Sequence, residues 1–376
     1  AQGRKLLWTT FSEDQIDLNY RSPDVLLEIV RVLLSYVAHG ATVIRLDAIA
    51  FMWKEPGTSS IHLPQTHALI QLLRAVLDEI APQVALVTET NVPHEENISY
   101  FGDGYNEAQM VYNFSLPPLT LHAFHTGDAG ALTRWAQTLT LPSDRVTFFN
   151  FLASHDGIGL TPARRILTTA QIEALVDRIQ SLGGYVSYKT NADGSQSAYE
   201  LNINYLDALG DPDEPQDRRL LAERFLCSQA IMLALRGVPG IYFHSLFGSR
   251  SWTAGVEETG QRRAINRHKL RSPSLRRELQ GGLRRDVFSG YRRLLQIRAT
   301  EMAFYPYGRQ RILSLHPAVF AVERRYRAAR MLCLHNVSNR SINVTVEGVG
   351  GVDLVGERPI TSGEITLAPY QVLWIK

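Results

Sequence analysis

The chain has 376 residues, of which 45% are hydrophobic and 20% are charged, and its formal net charge is +2. This composition is typical of a globular protein with one large and one smaller domain, and the charge argues neither for nor against a polyanionic partner. No basic run with interleaved aromatic residues indicates nucleic-acid binding, two cysteines are too few for a disulfide framework, and no stretch reaches the roughly 18 apolar residues of a membrane span.

The first predicted elements are a helix and a strand. Ser22 is expected to cap a helix with Pro23 at its first position, and residues 25–38 are apolar at helical spacing before Gly40 ends the helix. The β-branched run at residues 42–44 then predicts a fully buried strand.

That strand ends in two opposite charges. Arg45 and Asp47 share side-chain parity, so both are expected to point the same way where the strand ends. A carboxylate beside an obligate cation stays ionised, and at a buried strand end it can act as a nucleophile. From these residues alone, the alternative is a structural ion pair.

Further acids follow two more predicted strands. An amphipathic helix over residues 66–79 leads to a strand that ends at Glu89, and a strand over residues 145–151 is followed by His155 and Asp156. Because helices separate the strands, the pattern favours a (β/α) barrel, whose chemistry gathers at the carboxyl ends of the strands. One ionised and one protonated acid flanking a bond are also what glycoside cleavage needs.

The connecting segments are rich in aromatic and polar residues. Residues 51–64 are expected to wall a sugar site, or else to pack as an ordinary loop. Residues 110–115 predict a strand that ends at Pro117 and Pro118. The long stretch 160–215 contains helical spacing over residues 171–181 and is expected to be a lid or a binding loop, with an ordinary ordered excursion as the alternative.

The last third of the chain changes character near residue 304. Residues 218–236 predict a long apolar helix that buries Cys227, and residues 237–243 predict the last barrel strand. Residues 252–268 are expected to form a loop, and residues 283–301 a closing helix. Short strands divided by turn residues then predict a small antiparallel β domain. We therefore expect a partial catalytic barrel over residues 1–303 and a β domain over residues 304–376. Arginine pairs at 262–263, 276–277, 284–285 and 324–325 are expected to lie on solvated faces.

The three acidic strand ends resemble the conserved regions of the α-amylase superfamily, glycoside hydrolase family 13. Further segments narrow the resemblance to its sucrose phosphorylase subfamily, and the similarity runs from about Gln15 to about Leu270. The matching segments are Gln15-Ile16-Asp17-Leu18-Asn19, Lys54-Glu55-Pro56-Gly57-Thr58-Ser59, Leu116-Pro117-Pro118-Leu119, His155-Asp156-Gly157-Ile158-Gly159 and Ile265-Asn266-Arg267.

This resemblance implies a (β/α)8 TIM barrel with a small C-terminal antiparallel β domain, and a retaining double displacement at an α-glucoside. Asp47 matches the nucleophile, and Arg45 keeps it ionised and oriented. Glu89 matches the acid/base, which has to be protonated at the start. Asp156, with His155, matches the group that stabilises the transition state.

Four other residues match positions that the family uses to bind substrate. Gln15 is expected to line the sugar site, and Arg267 to grip the donor glucose. Tyr199 resembles a tyrosine of a mobile loop near phosphate and acceptor. Asn91 stands where sucrose phosphorylases usually carry histidine, so the chain is more similar to relatives that act on glucosylglycerate, glucosylglycerol or a phosphorylated sucrose.

The resemblance implies a small α-glucoside and inorganic phosphate as partners. The residues themselves indicate no nucleic acid, membrane, cofactor or metal. A cytoplasmic location is expected, and a homodimer is left open. Residues before Ala1 would carry the family's first strands and its Asp-x-x-x-Asn-His segment, so an N-terminally truncated member is expected. The alternatives are a sucrose or sucrose 6-phosphate phosphorylase, an α-glucosidase or transglucosylase, and an inactive sugar-binding fragment.

Overall fold

The computed structural model describes residues 6–191, 193–210, 217–348 and 350–376. These residues form two compact units. Unit 1 comprises the described residues up to Tyr112 together with Leu141–Thr147, and unit 2 comprises those of Asn113–Thr140 and Phe148–Lys376. Among the described residues, no helix is both long and apolar enough to cross a membrane.

Unit 1 alternates helices with parallel strands. Its elements are α1 (Pro23–Ala38), β1 (Val43–Leu46), α2 (Pro64–Ile80), β2 (Ala85–Thr88), α3 (His94–Asn97) and β3 (Met110–Tyr112), with 3-10 helices at Ile49–Phe51 and Ile98–Phe101. The strands pair in parallel in the order β1-β2-β3, with Leu46 opposite Thr88 and Val87 opposite Met110. Since parallel strands end at the same edge of a sheet, residues 47 and 89 begin the loops at one edge.

One hydrophobic cluster in unit 1 packs its first two helices against its first two strands. Leu33 of α1, Ile44 of β1 and Leu77 of α2 are buried in it, together with Leu86 of β2. The prediction of a fully buried first strand is wrong at Val43, whose side chain is exposed. The helix does begin at Pro23 as predicted, but the Ser22 side chain makes no capping hydrogen bond.

The described residues of unit 2 contain nine α-helices, which precede an all-β segment. Its helices are α4 (Leu116–Thr126), α5 (Gly130–Gln137), α6 (Thr169–Ser181), α7 (Tyr205–Ala208), α8 (Arg218–Ala234), α9 (Phe243–Leu246), α10 (Thr253–Thr259), α11 (Ser272–Glu278) and α12 (Gly282–Thr300), with 3-10 helices at Thr161–Ala163, Arg262–Asn266 and Met302–Phe304. Interleaved with them are β4 (Thr147–Asn150), β5 (Ile158–Gly159), β6 (Tyr185–Thr190), β7 (Gln196–Asn202) and β8 (Val238–Pro239). Strands β4 and β8 pair in parallel, with Phe149 opposite Val238.

The stretch 160–215 is more ordered than a lid or loop. Helix α6 begins with a capping box in which Thr168 and Gln171 satisfy each other's backbone N–H groups. Strands β5, β6 and β7 form a three-stranded antiparallel sheet in the order β5-β7-β6. Positions 192 and 211–215 of the predicted loop lie outside the described residues.

Three other predicted boundaries need correction. The strand at 110–115 ends at Tyr112, and Pro117 and Pro118 instead lie in the first turn of α4, where proline is tolerated because the N–H groups have no helical partner. The strand at 237–243 is reduced to Val238–Pro239. The predicted loop at 252–268 contains helix α10 and a 3-10 helix.

The chain ends in the predicted antiparallel β domain. Its strands are β9 (Arg309–His316), β10 (Val319–Tyr326), β11 (Ala329–Asn336), β12 (Ile342–Val346), β13 (Gly351–Asp353), β14 (Arg358–Ile360), β15 (Gly363–Leu367) and β16 (Val372–Ile375). Six of them form one sheet in the order β14-β13-β16-β11-β10-β9, and β12 pairs with β15. Cys227 of α8 is fully buried, as expected.

Candidate active site

In unit 1, one arginine contacts both of the acids that follow β1 and β2. Nη1 of Arg45 lies 2.5 Å from Oδ1 of Asp47, and its Nη2 lies 3.8 Å from Oε2 of Glu89. The Asp47 side chain is 72% exposed, whereas that of Glu89 is only 17% exposed. The two carboxylates therefore share a cation but stand in different environments.

The backbone after β1 explains how Glu89 is held. Its N–H donates to the Leu46 carbonyl oxygen over 3.0 Å, which continues the parallel pairing of the two strands. Ala48 then adopts a left-handed conformation with φ +46°, and its N–H donates to Oε2 of Glu89 over 3.0 Å. Non-glycine residues rarely adopt this conformation, and such strain tends to occur at functional sites.

Arg45 is fixed as a cation. Its guanidinium lies 5.6 Å from the ring centre of Tyr112, on β3. Partial burial alone would lower the pKa of Arg45, but the charges of Asp47, Tyr112 and Glu89 raise it on balance. Burial also raises the pKa of the Tyr112 hydroxyl, although the positive charge of Arg45 acts to lower it. Arg45 is thus suited to keep a neighbouring carboxylate ionised.

In unit 2, a second cluster surrounds Asp156. Nη2 of Arg267 lies 3.1 Å from Oδ1 of Asp156, and its Nε donates to the His155 carbonyl oxygen over 2.8 Å. Nε2 of His155 lies 3.6 Å from Oδ2 of Asp156. Nδ2 of Asn266 donates to the Asp156 carbonyl oxygen over 3.1 Å. The side chain and the backbone of Asp156 are therefore both held.

Two members of this cluster were not predicted. Arg263, expected on a solvated face, donates from Nη1 to Oδ1 of Asp156 over 2.8 Å. Its Nε and Nη2 donate to the two carboxylate oxygens of Glu200, over 3.1 and 2.6 Å. Arg263 and Arg267 stand four residues apart, and this spacing beside a matched motif was the available signal. The expectation for Arg324 is also wrong, because its buried guanidinium donates to backbone carbonyls of Ala234 and Tyr305.

The other predicted site residues lie in different settings. Gln15 is exposed in unit 1, and its Oε1 accepts a hydrogen bond from Ser12 Oγ over 3.0 Å. Asn91 is half-buried two residues after Glu89. Tyr199 is half-buried in strand β7, and its carbonyl oxygen accepts from the Leu160 N–H, so it lies in a sheet rather than in a loop.

Unit 1 also contains a cavity of about 330 Å³ beside the Gln15-to-Asn19 segment. Its walls include Trp8, Asp17, Asn19, Trp53 and Lys54. Nζ of Lys54 lies 3.6 Å from Oδ1 of Asp17, and this contact ties the loop after β1 to the segment before α1. Two indole rings beside polar groups are a lining that suits a sugar.

In both clusters the carboxylates contact arginines. Within the described ranges, no three His, Cys, Asp or Glu side chains are grouped in a way that could hold a metal ion. Asp47 and Glu89 face Arg45, and Asp156 faces Arg263 and Arg267. The chemistry of these residues is accordingly that of carboxylates oriented by guanidinium groups.

Comparison with protein families gives a match to the α-amylase catalytic domain over residues 4–172. The glucosylglycerate phosphorylase of Escherichia coli K12 is 50% identical over 98% of this chain and 66% of its own length. That of Spirochaeta thermophila is 47% identical over 100% of this chain and 67% of its own length. The chain thus spans about two thirds of the length of these curated relatives.

A solved structure of sucrose 6F-phosphate phosphorylase from Thermoanaerobacter thermosaccharolyticum resembles this chain with a TM-score of 0.76. Its sequence identity is 19%, and the match covers 96% of this chain and 68% of the other. At this identity the likeness concerns the fold. Together with the family match, it confirms the expected fold class, the later strands of a (β/α)8 barrel followed by a small antiparallel β domain.

Proposed function

The chain belongs to the α-amylase superfamily, glycoside hydrolase family 13, and to its sugar phosphorylases, and from this we propose that it is a retaining α-glucoside phosphorylase that releases α-D-glucose 1-phosphate from glucosylglycerate. The observation that carries the proposal is the single guanidinium of Arg45, which contacts carboxylates at two adjacent strand ends. Phosphorylases of this name are about half identical to the chain along nearly its whole length.

The first half of the proposed reaction forms a covalent intermediate. A carboxylate oxygen of Asp47 attacks the anomeric carbon of the α-glucoside, and the bond from that carbon to the glycerate oxygen breaks. Glu89 gives its proton to the departing oxygen, so glycerate leaves as a neutral hydroxyl. Arg45 keeps Asp47 ionised for this attack.

The second half transfers glucose to phosphate. Glu89, now ionised, takes a proton from the attacking phosphate while a phosphate oxygen displaces Asp47 at the anomeric carbon. Two inversions restore the α configuration. Asp156 and His155 are proposed to bind sugar hydroxyls more tightly as the ring flattens, and this differential contact lowers the barrier. Arg267 is proposed to grip the donor glucose, with Gln15, Asn91 and Tyr199 completing the substrate site.

The setting of the reaction is part of the proposal. We place the enzyme in the cytoplasm, with a small α-glucoside and inorganic phosphate as its partners. The catalytic barrel is assigned to residues 1–303 and the β domain to residues 304–376. A homodimer stays open, and light scattering coupled to size-exclusion chromatography tests it.

The test offers α-glucose 1-phosphate with glycerate, glycerol, fructose or fructose 6-phosphate in turn, and measures the phosphate released. We expect release with glycerate, and a loss of at least about 10³-fold in Asp47→Asn because the nucleophile is gone. Asp24→Asn, which changes an exposed aspartate of α1, is the matched control.

Each acceptor result decides between named functions. Release with fructose or fructose 6-phosphate alone would reassign the chain as a sucrose or sucrose 6-phosphate phosphorylase. Slow formation of glucose without acceptor-dependent release would make it an α-glucosidase, and new glucosides without phosphate release a transglucosylase. A folded chain that is inert in every arm would contradict catalysis and favour a sugar-binding role.

A further inference from the structure

We infer that Glu200 and Arg263 form a positioning pair that holds Asp156 in place for the glucosyl transfer proposed above. The inference rests on that proposed function and adds two residues to it. Neither was predicted from the sequence to be a site residue. Arg263, in the 3-10 helix Arg262–Asn266, contacts Asp156 directly, and Glu200, in β7, contacts Arg263.

All three guanidinium nitrogens of Arg263 donate hydrogen bonds to carboxylates. Nε and Nη2 form a two-pronged contact with the carboxylate of Glu200, and Nη1 donates to Oδ1 of Asp156. The planar guanidinium matches a carboxylate in this geometry, so fixing one edge on Glu200 fixes the direction of the third nitrogen. Arg263 therefore transmits the position of β7 to the Asp156 side chain.

This contact decides which oxygen of Asp156 faces substrate. Both Arg263 and Arg267 approach Oδ1, at 2.8 and 3.1 Å. Among the described residues, Oδ2 makes its one ion-pair contact with Nε2 of His155, at the longer distance of 3.6 Å. The arginines thus anchor Oδ1, which leaves Oδ2 as the oxygen that would bind the sugar hydroxyls in the proposed reaction.

The backbone beside Asp156 is held against the same strand. Gly159 of β5 pairs with Glu200 of β7. A Cβ placed on Gly157 would lie 2.5 Å from Cγ of Glu200 and 2.6 Å from the Leu201 carbonyl oxygen, so the two segments approach closely enough to require glycine. Glu200 therefore positions the Asp156 side chain through Arg263, and it also packs against the backbone that follows Asp156.

Burying the Glu200 carboxylate costs desolvation free energy, so stability alone does not explain its position. Its side chain is only 4% exposed, and a buried ion pair recovers little of the free energy lost when its charges leave water. Burial alone would lower the pKa of Arg263, but its hydrogen bonds to Glu200 and the charges of Glu200 and Asp156 raise it on balance. Arg263 therefore stays charged and keeps its geometry, which suits a positioning role.

The test compares Arg263→Met, Arg263→Lys, Glu200→Gln and the double variant Glu200→Gln/Arg263→Met. The double variant matters because Arg263→Met alone leaves a buried carboxylate unpaired and can unfold the chain. Fluoride release from α-glucosyl fluoride is measured with and without phosphate, and each kcat is corrected for the folded fraction from circular dichroism. Arg250→Met is the matched control, since Arg250 forms an ion pair with Asp207 elsewhere in unit 2.

We expect Arg263→Met to lower kcat about 10²-fold while the KM for the donor changes little, because a misplaced Asp156 loses contacts made in the transition state. The double variant should match Arg263→Met within about 3-fold, since Glu200 acts through Arg263. Arg263→Lys should recover only part of kcat, because lysine cannot grip Glu200 with two nitrogens. Arg250→Met should keep kcat within about 2-fold.

The outcomes separate this inference from the function on which it rests. If phosphate does not accelerate wild-type turnover, the phosphorylase proposal fails, but fluoride release still reports the effect of the pair. If the variants lose folded fraction while kcat per folded molecule stays near wild type, the pair is structural only and the inference is overturned. Independent, multiplying losses from Glu200→Gln and Arg263→Met would overturn it as well.

Discussion

At the scale of single residues, Asp47 and Glu89 differ in ways that suit different tasks. Asp47 is largely exposed and forms a close ion pair with Arg45. Glu89 is mostly buried, lies farther from the same guanidinium, and accepts a hydrogen bond from the Ala48 N–H. Pairs of carboxyl groups whose environments differ in this way commonly divide nucleophile and acid roles between them.

This division predicts how Glu89→Gln depends on the leaving group. Glycerate needs a proton in order to leave, whereas fluoride does not. We therefore expect Glu89→Gln to lower turnover of glucosylglycerate by about 10²–10⁴-fold, the usual contribution of a general acid. The loss with α-glucosyl fluoride and phosphate should be much smaller. The measurement is the ratio of kcat/KM for the two donors.

Asp47→Asn supplies the comparison for that ratio. It should lose activity with both donors, because neither can form the covalent intermediate without the nucleophile. Glutamine at position 89 can still accept the Ala48 hydrogen bond, so a general structural defect is not expected. Equal losses with both donors in Glu89→Gln would contradict the acid/base assignment.

At the scale of elements, the sequence predicted the strands and helices that depend on residues close together in the chain. The parallel strands that end at Asp47 and Glu89 could be predicted because each is a short apolar run followed by an acid. The spacing of Arg263 from Arg267 was a signal for its place beside the motif, but its contact with Glu200 could not be predicted, because the two are 63 residues apart and meet only through packing. The hairpin β6–β7 was missed for a similar reason: its polar and aromatic residues have no simple alternation of buried and exposed positions.

The close packing of β5 on β7 predicts the effect of a methyl group at Gly157. Its Cβ would lie 2.5 Å from Cγ of Glu200, so Gly157→Ala must push the two segments apart. We expect a loss of about 1–3 kcal/mol in the free energy of unfolding and a fall in kcat of roughly 10-fold or more, because Asp156 is the neighbouring residue. Urea unfolding and steady-state kinetics measure the two effects.

Gly281→Ala is the control for that substitution. Gly281 has no atom within 4 Å of the position that its Cβ would take, and its backbone is extended. Its unfolding free energy and kcat should stay close to wild type. If Gly157→Ala behaved like Gly281→Ala, the close registration of the Asp156 segment on β7 would be contradicted.

Strand β11 makes stability depend on pH through His335. Its Nδ1 lies 3.0 Å from the Phe320 carbonyl oxygen, and its Nε2 faces Nε1 of Trp374 at 3.4 Å. Nδ1 therefore donates and Nε2 accepts in the neutral ring, and a second proton would set two N–H groups against each other. Burial lowers the pKa of His335 to about 4.

Because the unfolded chain binds this proton more readily, stability is expected to be full above about pH 6.5 and to fall as the pH drops toward 4. The loss from this residue is about 3 kcal/mol. Urea unfolding at several pH values measures it, and His335→Gln should make the dependence less steep. His39→Gln, at an exposed histidine after α1, should leave the slope unchanged; an unaltered slope in His335→Gln would contradict the assignment.

At the scale of the whole molecule, helix α1 leaves several apolar side chains exposed. Helix α1 carries Asp24, Glu28, Arg31 and Ser35 along one stripe and apolar residues over the rest of its surface. Among its residues only Leu33 is buried, while Leu27, Val32 and Tyr36 are exposed. Apolar surface of this kind marks an interface or a site of aggregation.

We therefore expect the chain to associate with itself, and the association to weaken when α1 is made polar. The double variant Leu27→Gln/Val32→Gln removes two exposed apolar side chains on different sides of the helix, whereas Leu72→Gln removes a single exposed leucine from the amphipathic helix α2. Sedimentation velocity over a range of concentrations measures the mean mass. The double variant should shift the chain toward monomer and Leu72→Gln should not, because an isolated exposed leucine is ordinary on a protein surface. A wild-type chain that stays monomeric at every concentration would contradict the expectation, and equal effects of the two variants would show that the association does not depend on α1.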